Sequence, residues 1–273
     1  MFEQTRPKSS FHSALAILEL VYHSIVRDVR KAHGNAIMSI LVNMLQAAIF
    51  VLAFYFMFQI LGLRRSAVRG DFLLYIMSGI FLFLTHTKTL GAVVGSDGPA
   101  SPMMQHAPMN TIISILSAAV GALYIQTLSL FAILFIYDVV FTDITIEDPI
   151  SAYGCLLIAW FSGMAIGVVL LSVKPWFPRF VGIFSTVYQR ANMVASGKMF
   201  LANSLPGYML AMFDWNPLFH AIDQCRGFVF INYFPRYSSV SYPIYVSLAL
   251  IMIGLMGEFY TRRHASISWN ARR

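Results

Sequence analysis

From Ala32 to Leu63 the chain runs without a single Lys, Arg, Asp or Glu. An α-helix needs about 20 apolar residues to cross roughly 30 Å of hydrocarbon. Runs of that length recur along the sequence, and they are continuous rather than alternating at every second position. Lipid offers backbone groups no hydrogen-bond partners, so such runs must satisfy themselves as helices. Alternation is what a membrane β-barrel would show. Composition agrees, with 58% hydrophobic residues and 11% charged, against about 25% charged in soluble domains. The fold class is therefore an all-α, polytopic membrane protein.

Six transmembrane helices are expected, at Ala36–Gly62, Phe72–Gly95, Asn110–Phe141, Ile150–Val173, Phe180–Leu201 and Pro243–Tyr260. No internal repeat or low-complexity tract divides the chain, so residues 1–273 read as one transmembrane domain. Before the first span, Leu15, Leu18, Tyr22, Ile25 and Val29 recur every three or four residues between Phe11 and His33. Glu19, His23, Arg27, Arg30 and Lys31 fall largely opposite, the pattern of an amphipathic interfacial helix. The first apolar run begins too late and is too long for a signal peptide. Cys155 and Cys225 give neither a disulfide framework nor a metal spacing.

An even number of spans places both termini on one side. Arg27, Arg30, Lys31, Lys174, Arg179, Arg262, Arg263, Arg272 and Arg273 then flank the cytoplasmic face. Arg64, Arg65, Arg69, Arg226 and Arg236 flank the other. The excess favours cytoplasmic termini, with Arg64, Arg65 and Arg69 counting against it. The net charge of +7 is accounted for in this way and calls for no nucleic acid. On the cytoplasmic side, prolines 99, 102 and 108 confine any helix to a short one. Met103 and Met104 there offer either an adaptable apolar knob for a partner or part of an ordinary turn.

Three cations fall within expected spans: Lys88, Arg190 and Lys198. A charge at mid-bilayer costs at least about 2.5–3.5 kcal/mol, so each needs a polar path, an anionic ligand or a route to the interface. Arg190 and Lys198 are about 12 Å apart along a helix and about 80° around it. They can line one face and attract a negatively charged substrate. Thr85, His86, Thr87 and Thr89 flank Lys88, and Tyr188, Gln189 and Asn192 flank Arg190. Lys88 and Lys198 have the alternative of snorkelling to an interface.

Catalytic and metal motifs are lacking. Gly197-Lys198 is followed by Met199 and has no upstream P-loop glycine. His12, His23, His33, His86, His106, His220 and His264 show no metal-ligand spacing, and there is no Gly-x-Ser-x-Gly elbow. The spans carry no central Asp or Glu for a proton relay. Energy for any transport is expected from elsewhere.

Ala202 to Tyr242 is too apolar for a loop and too broken for a span. Asn203-Ser204-Leu205-Pro206-Gly207 interrupts it, and Asn216 is placed to cap a helix starting at Pro217. In that helix Leu218, Ala221, Ile222 and Cys225 form an apolar stripe. His220, Asp223, Gln224 and Arg226 form a polar side, which predicts an amphipathic helix resting on the outer leaflet. The run Trp215-Asn216-Pro217-Leu218, with His220, Arg226 and the terminal Phe259-Tyr260-Thr261-Arg262-Arg263, resembles the membrane subunit of ABC-2 type polysaccharide exporters. Capsular polysaccharide, O-antigen and teichoic-acid permeases belong to that family, and the capsular branch is the nearest in feel. The chain departs from the family at Gly34-Asn35-Ala36-Ile37, where members often carry a Leu-Gly-x-x-Trp and Pro pattern.

The resemblance implies a non-enzymatic permease in the bacterial inner membrane, exporting a lipid-linked, anionic capsule polysaccharide. It implies a homodimer, with no cofactor in this chain. ATP and Mg would sit on a separate ATPase subunit, and periplasmic and outer-membrane export proteins would be further partners. Arg27, Arg30, Pro102, Met103, Met104 and His106 would contact the ATPase. Lys88, Tyr188, Arg190, Lys198, Tyr208 and Trp215 would line the substrate path, and the rings of Tyr188, Phe200, Tyr208 and Trp215 suit either stacking on sugars or packing and interfacial anchoring. Asn216, Pro217, His220, Asp223 and Arg226 would belong to a re-entrant periplasmic gate within 202–242. A different glycan or a small-molecule substrate is the alternative within the class. Outside it, a membrane-embedded enzyme acting on lipid-linked sugars would have to use Asp143, Glu147 and Asp148.

Overall fold

The computed structural model describes residues 19–27, 36–60, 62, 68, 70–98, 110–141 and 143–264. Among them all regular structure is helical. After a helical stretch over 19–27 come α1 (Ala36–Ile60), α2 (Phe72–Val94), α3 (Thr111–Val140), α4 (Pro149–Val173) and α5 (Pro178–Ala195). A 3₁₀ turn at Ala202–Ser204 leads to two short helices, α6 (Gly207–Phe213) and α7 (Pro217–Val229), and then to α8 (Ser241–His264).

Five helices, α1 to α4 and α8, are long and apolar enough to cross a membrane. Their ends lie close to the expected ones, and side-chain caps fix the starts of α2 and α4. Asp71 accepts from Leu73 N at 2.8 Å, and Asp148 accepts from Ser151 N at 3.1 Å, each satisfying a donor that a helix start leaves orphaned. The expected span Phe180–Leu201 corresponds to α5, which stops at Ala195. Gly197 (φ +74°) supplies the left-handed residue that turns the chain there. α5 carries Arg179, Gln189 and Arg190 and falls short of the apolar composition of the other five.

α2 is the central helix, with 89% of its most apolar stretch buried, against 22% for α1, α3 and α8. It packs on α4, which in turn packs along α8. Glycine sets both crossings. A Cβ on Gly163 would stand 2.4 Å from the carbonyl oxygen of His86, and one on Gly254 would stand 2.9 Å from Val169 N. Small residues at such positions let helix backbones touch, which is how helices gain packing in a solvent as apolar as themselves.

The two ends of the bundle differ. At one, Arg27 of the N-terminal stretch lies 3.8 Å from Asp97 after α2, and Ser117 of α3 reaches Val21 O. At the other, Tyr137 donates to the Asp71 carboxylate, and Asp148 N and Glu147 N donate to Phe228 O and Val229 O of α7. Expectations resting on Arg30, Lys31, Arg64, Arg65, Arg69, Pro102, Met103, Met104, His106, Arg272 and Arg273 lie outside the described residues.

Candidate functional site

Lys88 and Arg190 line one cavity of about 450 Å³, together with Gln46, Phe50, Phe83, Thr87, Thr186 and Gln189. α1, α2 and α5 build it. Gln46 is ten residues into α1 and Lys88 sixteen into α2, so the site lies part-way along these helices rather than at their ends. Lys88 Nζ donates to Gln46 Oε1 at 2.6 Å, which holds the ammonium at the cavity wall. Arg190 is exposed in the single chain, and among the described residues its guanidinium has no ion-pair or hydrogen-bond partner. Two cations, two amides and two threonines on phenylalanine walls form a polar, positively charged recess in an apolar protein.

Lys198 does not join them. It lies beyond the end of α5, buried, with its Nζ 3.6 Å from the ring centre of Phe83, 4.7 Å from Phe54 and 5.3 Å from Phe50. The shared helical face expected for Arg190 and Lys198 does not form, because Ser196-Gly197 ends the helix between them. Phe50 and Phe83 thus line the cavity and also lie against the Lys198 ammonium.

Tyr188 sits beside the recess in a buried network. Its hydroxyl is 3.1 Å from His86 Nε2, while His86 Nδ1 lies 2.9 Å from Ser162 Oγ and 3.2 Å from Ala159 O. Ser162 itself donates to Ala159 O. All groups are satisfied when His86 is neutral, carries its proton on Nδ1 and accepts from Tyr188. The network ties α2, α4 and α5 together. The polar run Thr85–Thr89 inside an apolar span was its only sequence signal.

The segment between α5 and α8 differs from the amphipathic surface helix that was expected. α7 starts at Pro217 with Asn216 as its cap, accepting from Leu218 N at 3.1 Å. His220, Asp223 and Arg226 of the polar side are buried as well as the apolar stripe, and Gln224 is half-buried. Arg226 donates to Gly197 O at 2.8 Å, Phe200 O at 2.6 Å and Lys198 O at 2.6 Å, and its guanidinium stacks 4.2 Å over the ring centre of Tyr75. Asp223 accepts from Ser238 Oγ at 2.6 Å and from the Tyr233 hydroxyl. Burial, and secondarily the Asp223 charge, pushes the Tyr233 phenol well above its ordinary pKa. Ser239 N donates to His220 Nδ1 at 3.1 Å, so His220 donates from Nε2 to Asp214 O. Asn216, His220, Asp223 and Arg226 thus fasten the segment, both within itself and to its neighbours, Asn216 donating to Asn192 Oδ1 of α5 at 2.8 Å and Arg226 lying on Tyr75 of α2. Tyr208 and Trp215 remain exposed.

No family model matches the chain. Three capsule polysaccharide export inner-membrane proteins named BexB, from Haemophilus influenzae, are similar to it from end to end. Each is 20% identical over 254 residues, covering 91% of this chain and 94% of the relative. These relatives are inner-membrane proteins by name, and the five helices long and apolar enough to cross a membrane agree with a multi-pass membrane protein.

Proposed function

We propose that the chain is the permease subunit of an exporter that moves a capsule polysaccharide across the bacterial inner membrane. The observation that carries the reading is the recess shared by Lys88 and Arg190, in a chain alike end to end with capsule export proteins. Cations are costly at membrane depth and persist where they face water or an anionic ligand. An anionic, lipid-linked polymer fits that requirement.

One recess is too small to enclose a polymer. The helices that flank it, α1 and α5, expose apolar side chains such as Leu45, Leu52, Phe56, Phe184 and Val187. Two copies meeting along these helices would close two recesses into one path, with α5 as a sixth span and α6 and α7 as its outer gate. Both termini would then be cytoplasmic. The approach of the N-terminal stretch to Asp97 gives that end a surface for an ATPase subunit, on which ATP and Mg would act.

The test is co-expression with the ATPase encoded nearest to the gene. We expect the two to purify together and ATP hydrolysis to respond to the acidic polymer. Lys88→Gln with Arg190→Gln should lower export by tenfold or more, about 1.4 kcal/mol in the barrier, while leaving assembly intact. Unchanged export by an intact double variant would remove the electrostatic role from the recess.

A further inference from the structure

A second cavity, of about 340 Å³, lies between α2, α3 and α4 and is lined almost wholly by carbon. Its floor is made of Leu74, Met77, Phe81 and Leu156, with Cys225 and Val229 of α7 beside them, all buried. The mouth is different, since Phe131 and Ile150 line the cavity while staying 55% and 84% exposed. The cavity therefore opens sideways from three helices of membrane-spanning composition.

Water does not suit this space, because a buried water needs two to four polar partners. The two hydroxyls in the lining are already engaged: Ser78 donates to Tyr75 O at 2.8 Å, and Tyr153 is paired with Thr127 at 3.2 Å. An empty cavity would forfeit the dispersion contacts of its walls. With α2, α3 and α4 crossing a membrane, the mouth faces hydrocarbon.

The cavity sits at the end of α3 and the start of α4, next to their connection. That connection carries Asp143, Glu147 and Asp148, and from 143 to 148 it has no Lys or Arg. Asp148 is occupied in capping α4. Asp143 and Glu147 are exposed and without a side-chain partner among the described residues. A headgroup whose chain enters the cavity meets these two carboxylates, which favour an ammonium over an uncompensated phosphate.

We infer that the cavity holds an acyl chain of a bilayer phospholipid with an amine headgroup, its ammonium toward Asp143 and Glu147. The same lipid touches the end of α7, whose Phe228 and Val229 carbonyls accept from Asp148 N and Glu147 N at 2.9 and 3.4 Å. It acts as a wedge that seats α7 against the start of α4. This site is independent of the export reading and of the Lys88–Arg190 recess.

Native mass spectrometry of the delipidated full chain, with phosphatidylethanolamine or phosphatidylglycerol added back, tests the site. We expect the amine lipid to be retained with about fivefold preference, the worth of roughly one surface charge. Ala152→Phe, which puts a ring into the cavity, should lose the retained lipid without lowering the lipid-free melting temperature. Asp143→Lys with Glu147→Lys should invert the headgroup preference and leave the cavity as it is. Retention at wild-type affinity by Ala152→Phe, or equal binding of both lipids by the wild type, overturns the proposal. Should Ala152→Phe fail to fold, the charge-reversed chain decides: an unchanged preference there overturns it equally.

Discussion

Arg226 is fully buried, and among the described residues it has no ion-pair partner; its guanidinium is held by three backbone carbonyls of the turn at residues 197–200 and by the face of Tyr75. Each carbonyl left without a donor in a buried site costs about 1–3 kcal/mol. Arg226→Ala should therefore destabilise the chain by at least about 3 kcal/mol. Arg226→Lys should recover little of this, since a point ammonium cannot copy a planar fork. Heating followed by size-exclusion chromatography in detergent reads both. Tyr188→Phe should be milder, about 1–2 kcal/mol, because it strips one partner from buried His86 Nε2 and keeps the ring. The cap at Asn216 was legible from the Asn-Pro pair alone. The burial of Arg226 was not, because its partners lie 26 to 29 residues away in a turn that hydropathy reads as span.

Among the elements, the close crossings are the ones that tolerate least. Gly163→Ala would drive a methyl into the His86 carbonyl, whereas Gly154→Ala on the same helix meets nothing within 4 Å. We expect the first to lose folded protein on expression in membranes and the second to match the wild type, so equal yields would contradict the packing assigned to α2 and α4. The start of α4 titrates. The hydrogen bonds from Ser151 hold the Asp148 carboxyl below its ordinary pKa of 3.8. A depressed carboxylate stabilises the fold above its unfolded pKa, and that contribution is lost as pH falls through the folded value. The stability gap between wild type and Asp148→Asn should therefore be present at neutral pH and close as pH drops below 3.8. Apolar runs placed α1 to α4 and α8 within a few residues. α5 was harder to read because its polar face, with Gln189 and Arg190, looks into a cavity that α1 and α2 help to make.

For the molecule as a whole, the exposed apolar faces of α1 and α5 predict self-association. Static light scattering in mild detergent should give a dimer, and cysteines introduced at Leu45 and Leu52 should cross-link between copies in membranes. A monomer that still exports would break the link between the recess and a two-copy path. The parts of the bundle are also joined by different means. α2, α4 and α8 meet through glycines at backbone contact, so they cannot slide without a clash. Among the described residues α1 and α5 meet that core through side chains, among them Gln46 on Lys88, Phe50 on Phe83, and Tyr188 on His86. Side chains can change rotamer while backbones in contact cannot pass through each other. The molecule thus has a fixed frame and two adjustable staves, and the recess lies where staves meet frame. Any widening to admit a bulky chain would be taken up along the α1 and α5 edge, leaving the α2–α4 seam shut.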